Sequence, residues 1–165
     1  LRSARLRYHP VEPGTLDAFH GLVQDEHVRR YMMDGQVFPR EWSEQRVQES
    51  RALFESREVG IWLAHDKTPD ELVGFCGFRI ATSFPEPQLL YALRERWTRQ
   101  GLATEMARAA IAQARTQPGF AEIVAAVDEI NTGSVRVLEK LGFERVAVNQ
   151  GAFGNLLLLR LAANR

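Results

Sequence analysis

The spacing of apolar residues changes at Gly60, and that change decides the class of fold. Before it they recur at helical intervals: Leu16, Phe19, Leu22 and Val23, then Val28, Tyr31 and Met32, then Val47, Leu53 and Phe54. Ser43 is a candidate N-cap for the third of these helices. An alternating stretch at residues 5–9 reads as a strand ahead of them. After Gly60 the chain turns extended. Strands are expected at residues 61–64 and 72–80, joined by a polar turn through Asp66, Lys67, Thr68, Pro69 and Asp70, with a further strand at residues 88–93. Helix and strand then alternate. A helix carries Leu102, Met106 and Ala114, and a strand rich in valine and alanine occupies residues 123–127. A helix through Val135, Leu138 and Leu141 follows, with closing strands near residues 144–148 and 156–161. This order implies an α/β or α+β sandwich around one mixed sheet. No repeat, low-complexity segment or long linker divides the chain, so a single domain over residues 1–165 is expected.

Bulk properties exclude several function classes. The formal net charge is zero, which argues against a broad electrostatic grip on nucleic acid or on an anionic membrane. The longest apolar runs are too short to span a bilayer, and no signal peptide is visible, so a cytoplasmic location is expected. Of 21 basic residues only Lys67 and Lys140 are lysines, a skew that reads as genome composition before it reads as phosphate recognition. The lone cysteine, Cys76, excludes an internal disulfide and sits in an apolar run as a small core residue would. His9, His20, His27 and His65 have no zinc-ligand spacing, and no metal is expected.

Two short stretches carry chemistry. The first is Arg99, Gln100, Gly101, Leu102, Ala103 and Thr104, a turn opening onto a helix. A helix N-terminus presents unpaired amides and a partial positive charge, and Gly101 with Ala103 keeps the approach low, so a diphosphate fits there. Arg94, Arg96 and Arg99 precede the helix, either as phosphate contacts or as ordinary solvated charge. The second stretch is Asn131, Thr132, Gly133 and Ser134, followed by Leu138, Glu139, Lys140, Leu141, Gly142 and Phe143. Asn131 is suited to cap the helix and Gly142 to end it in a left-handed conformation. Each stretch alone is also met in plainly capped helices.

Together, in this order, the two stretches resemble the central motifs of the GNAT superfamily of acyl-CoA N-acyltransferases, and most closely its RimJ/RimL-like branch. The resemblance covers nearly the whole chain. It implies a mixed, mostly antiparallel sheet of six or seven strands with helices on both faces. It also implies acetyl-CoA as cofactor and an amine acceptor, in a monomer or homodimer. Carried over residue by residue, it places the cofactor against Leu93, Arg99, Gln100, Gly101, Leu102, Ala103, Thr104, Asn131 and Ser134. Many members carry a tyrosine acid where this chain has Leu138, so Ser134 is the candidate replacement, although a serine there also serves as a cap. The branch usually carries a carboxylate base three residues before Tyr91, where this chain has Gln88. Glu86 shares the strand parity of Gln88 and either substitutes or is a loop charge; Asp128 and Glu129 are further candidates. Tyr91 completes the catalytic set, and Tyr31, with Gln88, is expected at the acceptor. A β-bulge near residues 90–93 is expected to free an oxyanion-holding amide.

The missing carboxylate bears on the acceptor. A lysine-type amine of pKa about 10.4 costs roughly 4.6 kcal/mol to deprotonate at pH 7, whereas an α-amine of pKa about 7.8 costs about 1 kcal/mol. An α-amine of a peptide or small molecule is therefore expected. Transfer from another donor such as succinyl-CoA, and a catalytically weak CoA-binding module, are the alternatives.

Overall fold

The computed structural model describes residues 1–68, 70–80 and 85–163. Its centre is a seven-stranded sheet in the order β1-β2-β3-β4-β5-β7-β6. The strands are β1 (Leu6–Pro10), β2 (Ile61–Asp66), β3 (Leu72–Arg79), β4 (Gln88–Leu93), β5 (Ile123–Asp128), β6 (Glu144–Gly151) and β7 (Gly154–Leu161). The helices are α1 (Leu16–Gln24), α2 (Glu26–Met32), α3 (Arg40–Arg57), α4 (Leu102–Ala114) and α5 (Thr132–Lys140). Every pairing is antiparallel except that of β4 with β5. Pro69, expected in the β2–β3 turn, lies outside the described residues.

Strand alternation sorts the core into two faces. Phe75, Leu90 and Ala92 face Phe19, Leu22, Val28 and Val47 from α1, α2 and α3. Cys76, Phe78, Leu89 and Leu93 face Leu102, Met106 and Ala110 from α4, with Val135 and Leu138 of α5 in the same cluster. Cys76 is fully buried, as a core residue should be.

The decisive feature is the parallel junction. β4 and β5 share one register pair, Gln88 with Val124, closed by the Val124 N–H donating to Pro87 O at 3.0 Å. Beyond Gln88 the two strands part. Arg94 N–H donates to Val73 O, which fixes the phase of β4: the amides of Ala92 and Leu90 face β3, and those of Tyr91 and Leu93 face the gap. The bulge expected near residues 90–93 is absent, because β4 keeps one unbroken register with β3. The divergence of β5 frees the amides instead.

Two boundaries also differ from expectation. Helix α3 starts at Arg40 after an extended Pro39, three residues before Ser43. Ser43 is buried inside the helix, its hydroxyl 2.9 Å from His20 Nδ1, and caps nothing. Strands β6 and β7 run longer than their apolar residues indicated, and meet at a tight turn where Gly151 pairs with Gly154.

Strand β3 approaches β4 so closely at Gly74 that an added Cβ would lie 2.0 Å from the Ala92 carbonyl oxygen. Backbone cannot yield there as a side chain does. Gly74→Ala is expected to destabilise the fold by about 2–3 kcal/mol in urea unfolding, and a loss below about 0.5 kcal/mol would show that the approach is relaxed in solution.

Candidate active site

A groove of about 1400 Å³ follows the gap between β4 and β5. At one end it meets the start of α4. Gly101 is the N-cap, with φ of 78°, a left-handed conformation that an L side chain resists. No side chain caps this helix, so its first amides stay available for a ligand. Leu93, Arg99, Gly101, Leu102, Ala103 and Thr104 all line this part of the groove. Gln100 does not. Its side chain turns back to donate to Arg96 O at 3.0 Å. Arg96 pairs with Glu71 at 2.9 Å, so of the three arginines before the helix only Arg99 reaches the groove. Arg136 and Lys140 on α5 reach it as well. Sequence reasoning missed both: Arg136 lies between the two halves of the second stretch, and Lys140, although within it, carried no expected role.

The turn is braced from behind by Arg5, the residue just before β1. The backbone N–H and Nε of Arg5 donate to the Glu105 carboxylate at 2.8 Å each, and Arg5 Nη1 donates to Gln100 O at 2.9 Å. Burial would raise the Glu105 carboxyl, but the hydrogen bonds from Arg5 and Ser3 outweigh it and hold the group below its ordinary range.

At mid-groove Tyr91 meets Ser134. Tyr91 Oη lies 2.7 Å from Ser134 Oγ and 3.1 Å from Ser134 O. Burial pushes the Tyr91 hydroxyl up to about 12, with the Ser134 hydrogen bond a smaller opposing effect. The phenol is therefore protonated at neutral pH. Asn131 Oδ1 accepts from Ser134 N–H at 3.2 Å, which caps α5 and sets Ser134 in its first turn. Gly142 ends that helix region with φ of 88°. Leu138 is buried and offers no acid.

The acid candidates separate. Glu86 is not brought to the groove: its carboxylate faces Arg160 at 3.5 Å, because β7 pairs Arg160 with Val124 beside Pro87. Glu129 accepts from Asn155 Nδ2 at 2.9 Å, outside the groove lining. Asp128, at the end of β5, does line it, with Asp34 from the loop after α2. Burial and then the charge of Asp34 raise the Asp128 carboxyl above its ordinary value. Gln88 is buried and accepts from Arg79 Nε at 2.8 Å. Tyr31 lines the opposite wall, half exposed against His27.

An anion-ready helix start, a strand gap with free amides and basic residues at one end form a slot suited to a phosphate-bearing thioester. Comparison with known proteins agrees, since residues 5–144 match the family described as the acetyltransferase (GNAT) domain.

The chain belongs to the GNAT acetyltransferase family.

Acetyl-CoA is the cofactor of that family, and the groove residues fit it. A GnaT-family acetyltransferase from Bordetella pertussis superposes with TM-score 0.82 at 21% identity, covering 98% of both chains. RimL, a ribosomal α-N-protein acetyltransferase solved with coenzyme A, superposes with TM-score 0.80 at 17% identity over 98% of this chain and 96% of that one. At such identities the likeness is one of fold. The uncharacterized protein YkkB of Bacillus subtilis is 34% identical over 88 residues, so this GNAT chain matches it over about half of each length (51% and 50%). No described helix is long and apolar enough to cross a membrane.

The brace gives a pH-dependent test. Glu105 has a depressed folded pKa, so its contribution is present above the ordinary value of 4.5 and lost as pH falls through the folded value. Half-exposure of Arg5 discounts the pair. Arg5→Ala is expected to cost about 1–2 kcal/mol at pH 7 and less at pH 3, and to weaken acetyl-CoA binding several-fold. Thermal unfolding across pH, with and without acetyl-CoA, checks both.

Proposed function

We propose that this chain transfers an acetyl group from acetyl-CoA to a primary α-amine by direct attack, without a covalent enzyme intermediate. The observation that carries the reading is the Tyr91–Ser134 contact of 2.7 Å, on residues that line the groove between β4 and β5. Leu93, the Gly101 turn, Thr104 and Asn131 hold the cofactor, and Arg99, Arg136 and Lys140 offer charge to its phosphates. Bound acetyl-CoA supplies an activated thioester carbonyl and a thiolate leaving group. The free amides of β4 polarise the carbonyl oxygen.

Asp128 takes the proton from the incoming ammonium. Its raised pKa moves it toward that of an α-amine, which suits a general base. The new bond joins the amine nitrogen to the acyl carbon, and the carbon–sulfur bond breaks. The Ser134 hydroxyl would give its proton to the departing sulfur and regain one from Tyr91 Oη; the second proton shed by the nitrogen after attack would return through water to Tyr91, and the one held by Asp128 would pass to solvent. Tyr91 acts as a positioning residue and proton reserve. The acceptor is a peptide N-terminus or a small-molecule amine, in keeping with the RimJ/RimL-like motifs, in one domain acting in the cytoplasm.

Thermal unfolding with acetyl-CoA, succinyl-CoA and ATP tests the donor. Acetyl-CoA at 100 times Kd is expected to add about 2.7 kcal/mol, succinyl-CoA less and ATP nothing. In an amine panel, α-amines should be acetylated faster than lysine side chains or polyamines; the reverse order would sink the acceptor reading.

Ser134→Ala is expected to lower kcat by about 10² with KM little changed, and Tyr91→Phe to lower it less. Full turnover in Ser134→Ala would remove serine from the proton path. For Asp128 the folded pKa is raised, so its ionised form opposes folding once pH rises through that value. Asp128→Asn should therefore raise Tm at pH 7 and lower kcat by about 10², with no Tm gain well below the ordinary carboxyl value of 3.8. A fall in Tm at pH 7 would overturn the assignment.

A further inference from the structure

The groove has a second basic cluster, on the face covered by α1, α2 and α3. Arg79 ends β3, half-buried, with Nε donating to Gln88 Oε1. No ion pair among the described residues includes Arg79, and the residues outside the description carry no side-chain carboxylate. Arg46 projects from α3. Its Nη2 lies 2.7 Å from Glu49 Oε1, and its guanidinium carbon 5.3 Å from the centre of the Trp42 ring. Arg46 Nε is buried without a hydrogen-bond partner among the described residues. All five residues line the groove. The charge of Glu49 answers one guanidinium and leaves the other uncompensated. Taking a guanidinium out of water beside a second one is unfavourable unless an anion arrives.

Position says what that anion belongs to. Arg79 pairs with Gln88 on the sheet face that carries Leu90, opposite the face that carries Tyr91. An amine approaching the Tyr91–Ser134 pair from the α1–α3 side therefore passes this cluster. Gln88 and Leu90 are two residues apart on β4, roughly 7 Å. That distance is spanned by one hydrogen bond and the few bonds between a carboxylate and an amine in an amino acid. Guanidinium forks match carboxylates in bidentate geometry.

We propose that Arg79 and Arg46 form an anion subsite that selects acceptors bearing a carboxylate close to the reacting amine. The inference rests on the acetyl-transfer reading above. The carboxylate is either the α-carboxylate of a free amino acid or an acidic side chain at the N-terminus of a peptide.

The test compares matched acceptors: free amino acids against their amides, and peptide amides beginning with Asp against those beginning with Asn. The member with the carboxylate is expected to show kcat/KM at least about tenfold higher. Titration calorimetry on the CoA-bound protein should give the same preference without turnover. Arg79→Gln should raise KM for the acid about tenfold or more and bring the acid-to-amide preference toward one, and Arg79→Lys should keep part of it. An undiminished acetyl-CoA thermal shift certifies that the variants fold. Preference among free amino acids identifies the α-carboxylate, and preference among peptides the side chain. Equal use of acid and amide by the wild type, or a preference that survives in both Arg79→Gln and Arg46→Gln, overturns the subsite alone. Acetyl-CoA binding with no transfer to any amine overturns the transfer reading and the subsite together.

Discussion

The parting of β4 from β5 after the Gln88–Val124 pair governs the rest of the molecule. A continuous sheet would satisfy the amides of Tyr91 and Leu93 internally and leave no slot. Once the strands diverge, those groups need a polar partner, and the space between them needs contents. Helix α4 crosses from one strand to the other, so its uncapped start lies at the mouth of the same gap. Helix α5 follows β5 and brings Ser134 back against Tyr91. The uncapped helix start, the amides facing the gap and the hydroxyl pair thus all meet along one local failure to pair.

The groove also sorts charge along its length. Arg99 stands at the start of α4, Arg136 and Lys140 on α5, Asp128 at the end of β5 with Asp34 beside it, and Arg46 and Arg79 on the face covered by the first three helices. Overall neutrality hides this, because net charge averages over the surface and a site is felt within a Debye length. The zero net charge therefore argues against a broad polyanion partner while saying nothing about a small anionic one.

What the sequence revealed depended on whether the signal was local. Strand β4 matched residues 88–93 because Pro87 and a dense apolar run bound it. The caps at Asn131 and Gly142 were legible because capping is chemistry within a few residues. Strand β6 outran its estimate, since Asn149 and Gln150 on an exposed edge strand have no apolar mark. Ser43 misled because a buried hydroxyl and a cap look alike in one dimension, and the true start followed Pro39. The Tyr91–Ser134 pair joins residues 43 positions apart, and no spacing rule reaches that far. The same holds for Glu86, drawn to Arg160 by the pairing of β7 with β5. Arg46 and Arg79 escaped notice because arginines are common here and only the fold makes these two neighbours.

The brace from Arg5 to Glu105 and Gln100 has a consequence for how the molecule is assembled. It closes a loop of about a hundred residues around the turn at Gly101. Contacts of such long sequence separation pay their chain entropy before they return any energy, and they form late. The turn is then among the last parts of the fold to become rigid, after the β2–β3–β4 meander, whose partners lie close together in the chain. A newly made chain would bury most of its core before that turn became rigid.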